Sequence, residues 1–270
     1  MTRPTHRGTT LIELLVATSV IATLTGILVP ALASGREAAR SLVCTSNLRE
    51  LQAANADYAR DHRGRYMPAA IDIQFSNLHR WHGTRQSRYD AFDPSDGELT
   101  PYLVSDAISS HIRQCPTFAD TLALLEERGE GFERGNGGYG YNASFVGVER
   151  RITSQGLWEI QTDRVGSRES RFADPARTIG FTDSAFTGRH DVIEYSFAEP
   201  RFWPQYDGWR ADASIHFRHG SGANVAWLDG HVDSQTRTHS EPGWASRVDA
   251  GALGLGWFGH SDDNSLFDYE

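Results

Sequence analysis

A long apolar run near the amino terminus limits what this chain can fold into. From Leu14 to Ala33 the residues are apolar apart from small hydroxyl side chains, one glycine and one proline. A helix of about twenty apolar residues is about 30 Å long, which matches the hydrocarbon core of a bilayer. Residues 9–33 are therefore predicted to form a membrane-spanning helix.

A single carboxylate, Glu13, stands at the start of this run. A charged side chain at the edge of the hydrocarbon is costly, so it indicates a function that involves a partner. The run is too long for an ordinary secretory signal, and no small-residue cleavage site follows it. A cut before the run, after Gly8, would leave the helix in the mature protein. A plain signal anchor, with Glu13 at the level of the headgroups, is the alternative.

The charges on either side of the run predict the topology. Arg3 and Arg7 precede it, so residues 1–8 should be a cytoplasmic leader and the rest of the chain should lie outside the inner membrane, in the periplasm. Pro30 removes one helix hydrogen bond and should allow a kink or local melting of the span.

The helical pattern continues beyond the span, so one helix is predicted from about Thr10 to about Arg63. Residues 34–64 form its stem, which carries apolar and amide side chains at alternating spacings of four and three, a pattern typical of one buried helix face. The members of this stripe are Cys44, Leu48, Leu51, Asn55 and Tyr58. We expect the head to pack on it.

Residues 65–270 are predicted to form one globular head. Its net charge contributes to a total of −9 for the chain, and no basic patch is visible, which argues against a nucleic-acid partner. A short helix is predicted at 117–128, and strands at 144–148, 157–161, 178–181 and 192–197.

The last part of the head favours a three-stranded meander. Its strands are predicted at 213–219, 223–228 and 231–236, and Asp229-Gly230 is predicted to form a type I′ turn between the last two. The whole pattern indicates an α+β fold, in which the long helix packs on a mainly antiparallel sheet.

The amino-terminal motif resembles that of a known family. The segment from Gly8 to Val16, GTTLIELLV, is similar to the class III signal of type IV prepilins and type II secretion pseudopilins. The resemblance implies that a prepilin peptidase cuts after Gly8 and methylates the new terminus at Thr9, where the family usually has phenylalanine. Glu13 and Pro30 occupy the positions of the glutamate and the proline of that family.

Two further segments extend the resemblance over nearly the whole chain. The stem segment that begins at Cys44, CTSNLR, is similar to the stem of pseudopilin-like proteins. His219, nine intervening residues and then Asp229-Gly230 resemble the H-X9-DG signature of a large bacterial, planctomycete-type group.

This resemblance implies a pilin-like fold and a structural role in a pilus or a secretion pseudopilus. The implied partners are prepilin peptidase, other pilin-like subunits and an inner-membrane assembly platform, and the implied location is the inner membrane and then a filament at the cell surface. Opposite charges attract strongly in a low dielectric, so the new amine of one subunit would pair with Glu13 of its neighbour.

Metal binding by the head is an open alternative. His219, Asp229, His231 and Asp233 could lie partly on one face of a strand and hold an ion. Calcium is a separate possibility, because an acidic loop contains Asp183, Asp191 and Glu194, although the spacing of six or more oxygen ligands is not legible there. No cofactor is otherwise expected.

The two cysteines, Cys44 and Cys115, both follow the span, in an oxidising compartment if the topology holds. They could form a disulfide, although Cys44 lies close to the membrane side of the stem.

No catalytic motif is present, so the chain is not expected to be an enzyme. The alternatives to a filament subunit are a membrane-anchored binding module for a glycan or a metal, and an anchored hydrolase that uses the His/Asp cluster.

Overall fold

The computed structural model describes residues 10–103, 114–189, 191–242 and 248–269. The chain divides into two compact units, Met1–Ala39 and Arg40–Glu270. The helices are α1 (Leu11–Asp61) and α2 (Ala119–Arg128). The strands are β1 (His79–Arg80), β2 (Gly83–Thr84), β3 (Tyr139–Tyr141), β4 (Glu149–Ile152), β5 (Trp158–Thr162), β6 (Ile179–Asp183), β7 (Phe186–Thr187), β8 (Val192–Ile193), β9 (Ile215–His216), β10 (Gly222–Trp227), β11 (Val232–Thr236) and β12 (Leu255–Gly256).

The first unit contains the apolar part of α1. Its large apolar side chains are exposed, from Leu11 at 81% to Leu32 at 51%. Among the described residues, α1 is the one helix long and apolar enough to cross a membrane, with a mean hydropathy of 2.1 over its best window. A membrane anchor and a signal sequence both have this character. The helix continues without interruption on either side of Pro30.

The second unit contains the stem part of α1, and the predicted stripe is confirmed as packing surface. All five of its side chains are at most 8% exposed: Cys44, Leu48, Leu51, Asn55 and Tyr58. Burial of this face against the head supplies stability that helix propensity alone would not, because most helical stability in proteins comes from tertiary packing.

Polar side chains join the stem to the sheet within this buried face. The side-chain amide of Asn47 donates to Tyr139 Oη (3.0 Å), and that of Asn55 donates to Tyr141 Oη (3.3 Å). Asn55 Oδ1 also accepts from the backbone N–H of Met67 (3.2 Å). A buried polar group that lacks a partner is costly, so these pairs fix the position of the helix along the strands.

The main sheet has four strands in the order β11-β10-β6-β3, and every neighbouring pair is antiparallel. The α+β class and the antiparallel character are thus as predicted, but the three-stranded meander is wrong. Strand β9, its predicted first member, pairs with β12 in a separate two-stranded sheet. The place beside β10 belongs to β6, whose five residues are all buried. Complete burial of β6 agrees with its place between two neighbouring strands, β10 and β3.

The turn predicted at Asp229-Gly230 is a hairpin loop of a different type. Among the two, only Gly230 has a positive φ (96°), and the N–H of Gly230 bonds to the carbonyl of Trp227 (2.9 Å). This arrangement is a three-residue loop that ends in a glycine bulge, rather than a type I′ turn. The two positive φ values that a type I′ turn requires occur instead at Gly220 (59°) and Ser221 (74°), between His219 and Gly222.

The other predicted elements agree in part. The helix predicted at 117–128 is α2, and the strands predicted at 157–161 and 178–181 are β5 and β6. Only Val192–Ile193 of the strand predicted at 192–197 forms. Residues 144–148 form a turn, because the N–H groups of Val146 and Gly147 both bond to the carbonyl of Asn142 (3.1 and 2.9 Å).

Replacement of one buried leucine of the stem tests this packing. Leu48→Ala should lower the free energy of unfolding by about 2–5 kcal/mol, because Leu48 is fully buried and the substitution leaves a cavity. The matched control is Leu42→Ala on the same helix, where the side chain is 70% exposed and the change should stay within about 0.5 kcal/mol. Denaturant unfolding of the detergent-solubilised chain, followed by tryptophan fluorescence, measures both. Equal losses in the two variants would contradict the packing described here.

Candidate functional site

The start of α1 is closed by two reciprocal hydrogen bonds between Thr10 and Glu13. The backbone N–H of Thr10 donates to Glu13 Oε2 (2.8 Å), and the backbone N–H of Glu13 donates to Thr10 Oγ1 (3.3 Å). This is a capping box, which satisfies two backbone donors that a helix start leaves unpaired. Glu13 therefore has a partner within its own chain. Gly8 and Thr9, the predicted cleavage and methylation residues, lie outside the described residues.

Four side chains with redox or metal-binding chemistry meet in the interior of the head. They come from separate parts of the chain: Cys44 from the stem of α1, Cys115 from the segment before α2, Asp183 from the end of β6, and His219 from the turn before β10. His219 is 8% exposed and the other three are fully buried. We call this set the Cys-His-Asp cluster.

The atoms of the cluster form a connected chain of contacts. The Cys44 thiol donates to Cys115 Sγ (2.7 Å), Cys115 Sγ lies 3.6 Å from His219 Nε2, and His219 Nε2 lies 3.4 Å from Asp183 Oδ2. The turn of Gly220 and Ser221 holds His219 in place, because it returns the chain directly into β10. The cysteines have no disulfide bond between them in the structure, but their sulfur atoms are in contact.

Arg218 supplies the positive charge of this region. Its Nη2 lies 2.7 Å from Asp183 Oδ1, its Nε donates to Cys115 Sγ (3.3 Å), and its remaining N–H groups donate to the carbonyls of Gly138 and Ser184. Asp183 Oδ2 in turn accepts from a backbone N–H of β10 (2.8 Å). A buried ion pair is tolerated when the remaining donors and acceptors are satisfied in this way.

The surroundings separate the protonation states of the two thiols. A hydrogen bond to Cys115, together with burial, raises the pKa of Cys44. Burial also raises the pKa of Cys115, but the hydrogen bond from Cys44 and the charge of Arg218 outweigh it and lower this pKa below its ordinary value. A cysteine whose pKa is lowered beside a cation, in contact with a second thiol, is favoured for thiol oxidation.

The same four side chains also fit a metal ion, because their ligand atoms all lie within 4.8 Å of one another. Zinc accepts thiolates, imidazoles and carboxylates as ligands. Two contacts favour the disulfide over the ion. The guanidinium of Arg218 already bonds Cys115 Sγ and Asp183 Oδ1, so a bound cation would face a positive charge and compete for occupied lone pairs. The disulfide remains a prediction, and the structure places the two sulfur atoms 2.7 Å apart.

The metal site proposed around the H-X9-DG signature does not form. His219 lies at one end of β10, whereas Asp229 and His231 lie beyond the other end. At about 3.4 Å per residue, the six residues of β10 separate these ends by about 17 Å. Asp229 Oδ1 instead contacts His231 Nδ1 (2.6 Å), and Asp233 accepts from the indole N–H of Trp227 (2.9 Å).

The three carboxylates considered for calcium, those of Asp183, Asp191 and Glu194, each have different partners. Asp183 belongs to the Cys-His-Asp cluster, and Asp191 Oδ1 accepts from the N–H of Val192 (2.7 Å). Glu194 Oε1 accepts from the N–H groups of Gly135 and Asn136 (3.0 and 3.1 Å). Within the described part of the chain, the Cys-His-Asp cluster is the one group with metal-ligand geometry, and it includes neither Asp191 nor Glu194.

We expect Cys44 and Cys115 to be bonded in protein isolated from cells. Both cysteines are buried, so cells are quenched directly in denaturant that contains an alkylating agent; intact mass analysis should then show neither cysteine alkylated until a reductant is added. Reduction should lower the free energy of unfolding by about 4 kcal/mol, because the bond closes a loop between residues 71 apart. Alkylation of both cysteines in denaturant without reductant would exclude the bond, and a metal ion bound to the undenatured protein would indicate metal binding instead.

The Asp183–Arg218 pair should matter more than an exposed pair of the same kind. Asp183→Asn leaves a buried guanidinium without its counter-ion and should cost about 3–5 kcal/mol of unfolding free energy. The control is Glu159→Gln, which breaks an exposed pair with Arg151 and should cost at most about 1 kcal/mol.

The pH dependence of stability gives a second measurement on Asp183. Burial raises the pKa of Asp183, but Arg218 and His219 outweigh it, so the folded-state pKa lies below its ordinary value. The contribution is therefore present above about pH 4 and is lost as the pH falls through the folded-state pKa. Asp183→Asn should lack this part of the acid destabilisation. A variant with an unchanged acid profile would show that Asp183 is not a charged partner of Arg218.

No protein-family model, no curated protein and no solved structure matches this chain. Its function is therefore inferred from its own residues and contacts.

Proposed function

We propose that this chain is a prepilin-like structural subunit, which is cleaved after Gly8 by a prepilin peptidase and assembled into a type IV pilus-like or type II secretion pseudopilus filament. The observation that carries the proposal is the start of α1. A carboxylate, Glu13, lies in the first turn of a helix whose large apolar side chains are exposed from Leu11 to Leu32. The resemblance of residues 8–16 to a prepilin signal supports the same function.

The electrostatics of the first turn explain how such subunits would assemble. Cleavage after Gly8 creates a charged amine at Thr9, and this amine and Glu13 are both costly to place in lipid. If the amine of one subunit lies beside Glu13 of the next, neither charge is unpaired, and the pair sets a fixed stagger between the two helices. A carboxylate has two oxygens and several lone pairs, so Glu13 can accept from Thr10 and from a neighbouring amine at the same time.

The head is suited to the mechanical load on such a subunit. The stem of α1 is joined to the sheet by a buried stripe, by the amides of Asn47 and Asn55, and by the contact of Cys44 with Cys115. These contacts hold the stem of α1 to the head through buried apolar and polar side chains. The proposed partners are the prepilin peptidase, other pilin-like subunits and an inner-membrane assembly platform. The proposed location is the inner membrane, with the head in the periplasm.

A matched pair of variants separates assembly by charge from local helix capping. Glu13→Gln removes the charge but keeps a side chain that can cap the helix start. Thr10→Ala removes one capping hydrogen bond but keeps the charge of Glu13. We expect Glu13→Gln to abolish co-purification and cross-linking of subunits while cleavage continues, and Thr10→Ala to leave assembly largely intact.

The opposite pattern would contradict the proposal. If Glu13→Gln behaves like the wild type, Glu13 is only a capping residue and the helix is only an anchor for the head. Mass analysis of the amino terminus in protein from cells provides the second measurement. A mature chain that begins at Thr9 agrees with the proposal, and an intact Met1 start excludes processing by a prepilin peptidase.

A further inference from the structure

A cleft of about 690 Å³ lies on the head, and none of the residues of the Cys-His-Asp cluster lines it. Its size is within the range of small-molecule sites, which are lined mainly by apolar and aromatic side chains with a few polar groups. Its lining includes the aromatic residues Trp203, Tyr206, Trp209 and Trp257 and the charged residues Arg210, Asp212 and Glu241.

Backbone hydrogen bonds hold the loop that forms one wall of this cleft. The N–H of Trp203 bonds to the carbonyl of Trp209 (2.8 Å), and the N–H of Tyr206 bonds to the carbonyl of Trp203 (3.1 Å). The carbonyl of Pro204 accepts from the N–H of Trp158 on β5 (2.9 Å), which fixes the loop to the rest of the head. The aromatic residues of the loop are therefore placed before any ligand binds, which lowers the entropy cost of binding.

Two large aromatic side chains of this loop are exposed at the cleft. Tyr206 is 55% exposed and Trp209 is 59% exposed, and their ring centroids lie 5.8 Å apart with planes at 43°. Trp257, which also lines the cleft, is 1% exposed, and its indole N–H donates to the carbonyl of Glu199 (3.2 Å). An exposed pair of aromatic rings is costly in water unless a ligand covers it, because these side chains carry large apolar surfaces with a polar edge.

The charges of the cleft select against an acidic ligand. Among the described residues that line the cleft, Asp212 and Glu241 carry carboxylates and Arg210 carries a guanidinium. The guanidinium of Arg210 is already paired, since its Nη2 lies 2.7 Å from Asp262 Oδ2 and its Nε lies 3.2 Å from Glu241 Oε1. Carboxylates accept hydrogen bonds from hydroxyl groups, and they repel anions. The cleft therefore suits a neutral ligand rich in hydroxyls.

We propose that this cleft binds a neutral pyranose oligosaccharide. A pyranose ring with equatorial substituents has a flat face of C–H groups and an edge of hydroxyls. The flat faces stack on Tyr206 and Trp209, and the hydroxyls donate to Asp212 and Glu241. The head of this subunit is thus a glycan receptor, whether or not the chain forms a filament.

The test uses the full-length chain in a detergent without a sugar headgroup, with cellohexaose and chitohexaose as probes and isothermal titration calorimetry as the measurement. At least one neutral oligosaccharide should bind, and Trp209→Ala should weaken it at least tenfold, which is about 1.4 kcal/mol. Trp209→Phe should recover part of the loss, because it keeps an aromatic ring. An oligogalacturonate of the same length should bind at least tenfold more weakly than the neutral probe, because it is anionic.

Two controls separate this proposal from folding and from filament assembly. Tyr89→Ala removes a tyrosine that is 83% exposed but does not line the cleft, and it should leave binding within twofold of the wild type. Glu13→Gln should also leave binding unchanged, so failure of assembly and failure of glycan binding are distinguishable. The proposal is overturned if neither neutral probe binds at millimolar concentration, if Trp209→Ala binds like the wild type while folded, or if the anionic oligosaccharide binds best.

Discussion

The packing of the stem of α1 against the four-stranded sheet is the contact on which the head depends. The buried stripe from Cys44 to Tyr58 gives this contact its hydrophobic area, and Asn47 and Asn55 give it a fixed register through the hydroxyls of Tyr139 and Tyr141. The Cys-His-Asp cluster forms only because this packing brings a helix residue, Cys44, to the edge where β6 and β10 meet. A shift of the helix by one turn would therefore separate the two sulfurs.

The sequence predicts much of this architecture because the relevant signals are local. Apolar length, the stripe spacing and the Gly and Asp-Gly turns locate α1, α2, β6, β10 and β11 to within a few residues. The capping box is also a local signal that the sequence carries, since Thr10 precedes Glu13 by three residues at the start of an apolar run.

The wrong predictions share one physical cause: the pairing of strands that are distant in the chain cannot be read from a short stretch of sequence. Strand β9 lies next to β10 in sequence but pairs with β12, and its expected place beside β10 is taken by β6, which is distant in sequence. The partner of His219 was missed for the same reason. Asp183 is 36 residues away in the chain and meets His219 only through the order of strands in the sheet. The cleft lined by Trp203, Tyr206 and Trp209 likewise joins residues 203–213 with residues 241–242 and 257.

The position of β10 explains the H-X9-DG spacing in structural terms. His219 belongs to the turn at the beginning of this strand, and Asp229-Gly230 belongs to the loop at its end, so the nine intervening residues measure one strand together with its connections. Insertion of a single residue within β10 would shift the register of the part that follows by one residue and reverse which of its side chains face the core. It would also displace either the imidazole from Asp183 or the loop from β11. We therefore expect this segment to tolerate amino-acid substitutions far more readily than insertions or deletions.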